Sequence, residues 1–87
     1  MKFEWDEEKN RENLNKNQIS FQEAQKAFLD SYRIILKDER HSQAEDRYFC
    51  IGKIADRVVT VRFTMRGENI RLFGAGYWRE GKKLYEK

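Results

Sequence analysis

The sequence predicts an α+β domain: N-terminal helices packed on a four-stranded antiparallel sheet, with a further helix at the C-terminus. Three observations carry this. In the first third, apolar residues recur at helical spacing, as in Phe21, Ala24, Ala27 and Phe28. From Ser31 the period changes to two, in runs rich in β-branched and aromatic residues. No proline, internal repeat or low-complexity linker divides the 87 residues, so residues 1–87 are read as one domain.

The elements follow in order. "KFEW" alternates and puts Phe3 and Trp5 on one face of a short edge strand. Asp6 is suited to cap a helix through about Lys16, with Glu7 and Glu8 complementing the positive end of its dipole. Leu14 is almost its only apolar anchor, so this helix is expected to be short and exposed. In "ISFQEAQKAFLD", Ser20 and Glu23 form a capping box and Ile19 and Ala24 a staple, which starts a second helix buried on one side. "YRIIL", "RYFCIG", "RVVTVRFT" and "NIRLFGA" read as four strands. "KDERHSQAED" is a polar loop between the first two, and "KIAD" and "RG" suit hairpin turns. Trp78, Leu84 and Tyr85 make one stripe of a final helix, which Gly81 weakens.

If the last hairpin turns on Arg66-Gly67, Phe63 faces Ile70, Val61 faces Leu72, and Arg62 stands directly opposite Arg71. Like charges directly opposite are destabilising, so this register calls for a carboxylate from elsewhere in the fold or a bound phosphate.

Composition excludes several classes. Charged residues make up 38%, but 39% hydrophobic and 14% aromatic residues are enough for a folded core. No apolar run approaches the roughly eighteen residues of a membrane span. "MKFEWDEEKN" lacks the apolar centre of a signal peptide, so a cytoplasmic location is expected. One cysteine, Cys50, excludes an internal disulfide and fits a reducing compartment, and with one histidine, His41, a structural zinc site is not expected. Cys50 lies mid-strand, as a small core residue does. Phosphate-binding Gly-rich loops and GxSxG are absent, and Gly74-Ala75-Gly76 matches neither GxGxxG nor a Walker pattern.

Charge is divided along the chain. Residues 1–56 hold 10 Lys/Arg against 12 Asp/Glu, and residues 57–87 hold 8 against 3. A cationic C-terminal third interleaved with aromatics suits a polyanion, and RNA in particular. The residues expected to bind it are Arg62, Trp5, Tyr77, Trp78, Lys82 and Lys83. Such side chains can cut RNA without a metal. The ribose 2′-hydroxyl is already tethered beside the phosphorus, so the protein has only to align it and stabilise charge. Arginines clamp the phosphate, and His41 or Glu45 is a candidate to move the proton.

The residues also fall into a familiar order. Phe3-Glu4-Trp5-Asp6, Lys9 and Asn13-Leu14 look like FEWDxxKxxxNL. Ser20-Phe21, Glu23-Ala24 and Phe28 look like SFEEAxxxF. Asp38, His41-Ser42, Glu45 and Arg47 look like DxxHSxxExR, and Phe63 to Gly67 with Ile70-Arg71 looks like YTxRGxxIR. Over nearly its whole length the chain resembles the BrnT family of ribonuclease toxins. The resemblance implies a RelE-like fold and a metal-independent, cofactor-free endoribonuclease that inhibits translation. It also implies a BrnA-type antitoxin that neutralises the toxin and binds operator DNA with it. On the resemblance, Arg71, Arg66 and Thr64 carry catalysis, joined by Arg79, His41 and Glu45.

Two positions depart from the pattern. The family's KHG is Lys16-Asn17-Gln18 here, and its SAR is Gly74-Ala75-Gly76. Arg79 is then expected to replace the missing arginine, with the glycines bending the strand end so that Trp78 packs. The alternative is a catalytically inactive binding protein that acts with its antitoxin on operator DNA.

Overall fold

The computed structural model describes residues 2–87. Five strands form one sheet, β1 (Phe3–Glu4), β2 (Ile34–Lys37), β3 (Arg47–Ile54), β4 (Arg57–Arg66) and β5 (Asn69–Gly76), in the order β1-β5-β4-β3-β2. The expected four-stranded antiparallel sheet is therefore corrected to a five-stranded mixed one. Strands β2 to β5 form the antiparallel meander, but β1 joins β5 in parallel, pairing Phe3 with Ile70 and Glu4 with Arg71. Two residues of alternation reveal a strand but not its partner, which here lies at the far end of the sequence.

Helix α1 (Glu7–Asn17) is capped by Asp6, whose Oδ1 accepts from the amides of Glu8 at 2.8 Å and Lys9 at 3.3 Å. Leu14 is not its anchor, being 48% exposed. Two buried asparagines dock the helix instead. Asn10 accepts from the Phe21 amide at 2.7 Å and donates to Gln22 at 2.9 Å. Asn13 accepts from the Ala75 amide at 3.1 Å and donates to the Ala75 carbonyl at 3.0 Å. That amide side chain continues the ladder on the edge of β5 where β1 has ended.

Helix α2 (Phe21–Ala24) lasts one turn before tightening into a 3₁₀ helix over Gln25–Leu29. Ser20 accepts from the Glu23 amide at 3.1 Å, as a capping box requires, while the Glu23 carboxylate pairs with Lys26 at 3.1 Å. Ile19, Phe21, Ala24 and Ala27 pack on Cys50, Val59, Val61, Phe63, Ile70, Leu72 and Ala75 to make the core. Gly52 is needed there, because a Cβ would lie 2.4 Å from the Ala27 carbonyl oxygen. Phe28 stands edge-on between Phe3 and Phe63, with centroids 5.2 and 5.1 Å away. Burial raises the Cys50 thiol to about 12, so it stays protonated as a core residue.

The last hairpin differs from the expected register. Arg66 pairs with Asn69, so the turn is Gly67-Glu68, with Gly67 at φ +61°. Phe63 faces Leu72, Thr64 faces Arg71, and Arg62 faces Gly74, not Arg71. Phe73 is an extra residue in a bulge between Leu72 and Gly74. The bulge resets the alternation, which lets Leu72 and Ala75 both point into the core although they are three positions apart. Neither Gly74 nor Gly76 has a positive φ; each leaves room for a side chain, Gly74 for Arg62 and Gly76 for Trp78.

Helix α3 (Arg79–Tyr85) packs on the opposite face of the sheet, its Gly81 against Thr60 and Ile51. Trp78 is its N-cap residue, and the Tyr85 hydroxyl donates to Asp30. This helix covers one end of that face and leaves the other end open. Among the described residues no helix is long and apolar enough to cross a membrane.

Candidate nucleic-acid interface

The register places the open face residue by residue. Side chains alternate across a pleated sheet, so residues paired across the strands share a face. One row runs Glu4, Arg71, Thr64, Arg47 across β1, β5, β4 and β3. The next holds Phe49, Arg62 and Gly74, with the bulged Phe73 between the rows.

The basic side chains here have different surroundings. Arg71 Nη1 lies 3.1 Å from Glu4 Oε2, and Asn69 donates to the other Glu4 oxygen at 3.0 Å. Hydrogen bonds from Asn69 and Arg71, reinforced by the charges of Arg71 and Arg66, hold the Glu4 carboxyl below its ordinary value. The charge that Arg71 brings to the sheet is thus met by a carboxylate of the fold. Arg47 Nη2 is 3.5 Å from Glu45, and its guanidinium lies 4.5 Å from the Phe73 centroid. Arg62 lies over the same ring at 5.3 Å and forms no ion pair among the described residues. Gly74 makes this possible, because a Cβ there would stand 3.3 Å from the Arg62 Cδ.

The loop before β3 is pinned beside Arg47. The Asp38 amide donates to the Arg47 carbonyl at 2.7 Å, and the Thr64 hydroxyl donates to the Asp46 carbonyl at 2.6 Å. Asp38 is buried and its Oδ2 is 2.9 Å from His41 Nδ1, which leaves the other nitrogen of a half-exposed imidazole free.

A cleft of about 360 Å³ continues from the open face to α1, with Arg62, Phe73 and Trp78 on one side and Lys9 and Lys16 on the other. Trp78 reaches it by lying over Gly76, where a Cβ would be 2.5 Å from the indole.

A family model described as ribonuclease toxin, BrnT, of type II toxin-antitoxin system matches residues 5–81. The chain belongs to the BrnT family. Comparison with curated proteins finds no match. A BrnT chain is a ribonuclease toxin of a type II system, and its partner is an antitoxin protein.

The expected site residues of this BrnT chain fall into separate groups. Arg71 pairs with Glu4, whose carboxyl also feels the charge of Arg66, and Thr64 stands beside Arg71 in the row. Arg62 and Trp78 share the cleft. Glu45 pairs with Arg47, and His41 is tied to Asp38, whose amide donates to the Arg47 carbonyl. Trp5 lies away from these groups, its ring edge-on against Phe21 and its Nε1 donating to Glu7 at 2.9 Å. Tyr77 lies under the Arg57 guanidinium and lines a different hollow with Lys82. Arg79 and Lys83 are exposed on α3, and neither makes an ion pair or a cation–π contact among the described residues.

Phe73 was not among the expected residues, nor had Lys9 and Lys16 a binding role. The signal for Phe73 was the broken alternation from Leu72 to Ala75. For the lysines it was their position on the same helix face as Asn13.

Proposed function

We propose that this protein is a metal-independent endoribonuclease that cleaves RNA on the open face of its sheet and so inhibits translation. The observation that carries the reading is Arg62: a guanidinium without a carboxylate, laid over Phe73 beside Arg47. Two guanidiniums clamp the scissile phosphate there and Phe73 offers a face for a base. The 2′-hydroxyl oxygen attacks the adjacent phosphorus and the 5′-oxygen leaves, giving a 2′,3′-cyclic phosphate and a 5′-hydroxyl. His41, oriented by Asp38, accepts the 2′-hydroxyl proton, and the leaving oxygen takes a proton from water. Glu45 keeps Arg47 in place, and Arg71, paired with Glu4, holds the edge of the site with Arg66 nearby.

A BrnA-type antitoxin would neutralise the toxin by covering this face in the cytoplasm, and the complex would bind operator DNA. The test is expression of the protein alone in a bacterium. Growth arrest with transcripts ending in 2′,3′-cyclic phosphates is expected, and both should disappear in His41→Asn. Normal growth with intact RNA at good expression would overturn the reading and leave an inactive binding protein.

A further inference from the structure

We propose that the cleft between α1 and the open face is a track for the RNA backbone, with Lys9 and Lys16 as phosphate contacts outside the reacting centre. The inference rests on the ribonuclease reading and adds the path of the substrate to it. Its basis is the way α1 is fixed. Asn13 makes two hydrogen bonds to the backbone of Ala75 and a third to the Ile19 carbonyl at 2.9 Å, which sets the rotation of the helix about its axis. Lys9 and Lys16 stand one turn before and one turn after Asn13, so the same hydrogen bonds hold both at the cleft. They are seven residues apart, roughly 10 Å along the axis, which lets them meet different phosphates.

The facing wall fits a single strand. Phe73 and Trp78 present aromatic surface, Arg62 a cation, and the missing side chains of Gly74 and Gly76 are what allow Arg62 and Trp78 to lie there. Phosphates on the lysines and bases on the aromatics divide a nucleotide between two chemically matched walls. Glu12 also lines the cleft and opposes the phosphates.

The probe is a labelled single-stranded RNA methylated at every 2′-oxygen, which has no internal nucleophile, with binding measured across salt concentration. The double variant Lys9→Gln/Lys16→Gln should lower the slope of log affinity against log salt by about 1.4, from two contacts at about 0.7 each. Glu12→Gln should tighten binding. Arg11→Gln, which removes one positive charge from the same helix but outside the cleft, should leave the slope unchanged. All four replaced side chains are exposed, and circular dichroism would verify the fold. A wild-type slope in the double variant, or an equal loss per charge removed in Arg11→Gln, overturns the track while transcript cleavage by wild type still upholds the ribonuclease reading. A wild type that neither binds the probe nor cleaves RNA removes both.

Discussion

Arg62 and Arg71 stand on the same face of neighbouring strands, yet their surroundings give them different work. Arg71 is tied to Glu4 across the parallel edge of the sheet, where Asn69 takes the other carboxylate oxygen. Arg62 has a glycine opposite, an aromatic ring beneath it and no carboxylate. An arginine held as closely by a carboxylate as Arg71 is, at 3.1 Å, has fewer free donors for a ligand. An unpaired one keeps its donors for an incoming anion. The contrast concerns two residues that the sequence set opposite each other, with Arg71 expected in catalysis and Arg62 in RNA binding.

The sharpest way to break it is Arg62→Gln. Cleavage of RNA should fall at least about 10²-fold, the scale for removing one donor to developing charge. The melting temperature should stay near wild type, since the side chain has only its stacking contact to lose. Equal loss of cleavage in Arg71→Gln would erase the distinction.

Gly74→Ala should come next, at up to roughly tenfold, because the new Cβ meets the Arg62 Cδ at 3.3 Å and shifts the side chain by a few tenths of an ångström over Phe73 without removing its charge. Cleavage by the pure variant, compared with Arg62→Gln, separates displacement from deletion.

Arg71→Gln should act mainly on stability. Its melting temperature should drop below that of Arg62→Gln, and adding Glu4→Gln should lower it little further, since both changes break one contact. The Glu4 carboxyl titrates below its ordinary value, so the folded state binds its proton less readily than the unfolded chain does. The resulting stability is full above about pH 4.3 and is lost as the pH falls towards the lowered folded value. Acid unfolding curves should show this dependence in the wild type and a weaker one in Glu4→Gln.

The smallest effect on cleavage is expected from Ala55→Gly, in the β3–β4 turn. Ala55 holds φ +57°, where a side chain is strained. Glycine should stabilise the protein by about 1 kcal/mol, or about 5 °C in melting temperature, and leave cleavage unchanged. Altered cleavage would show that the far hairpin is coupled to the Arg62 site.

Much of this architecture was legible in the sequence, and what was not has definite causes. The caps at Asp6 and Ser20 and all four strands of the meander follow from local residue types and period. The partner of β1 was not legible, because pairing across the length of the chain leaves no local mark. The Arg62–Arg71 register failed at the turn, which is Gly67-Glu68 and not Arg66-Gly67, and the Phe73 bulge then shifts the pairs beyond it by one residue more. Helix α1 looked weakly anchored because only apolar residues were counted, whereas buried amides of Asn10 and Asn13 hold it. His41 was visible as a candidate, but its orientation by Asp38 depends on how the loop folds back on β3.

The two-residue strand β1 and the Asn13 rung have a consequence for synthesis. They join residues 67 and 62 positions apart in sequence, through Glu4 to Arg71 and Asn13 to Ala75. Contacts of such separation must wait for the distant segment to exist, and a chain emerges from the ribosome N-terminus first. Helix α1 leaves with Lys9 and Lys16 in place but with no strand edge to lie against until Ala75 has been made. A nascent or interrupted chain therefore has one wall of the cleft and no opposite wall. The cell meets the finished cleft only after the final strand has been translated, and an unfinished product of this gene carries no assembled site.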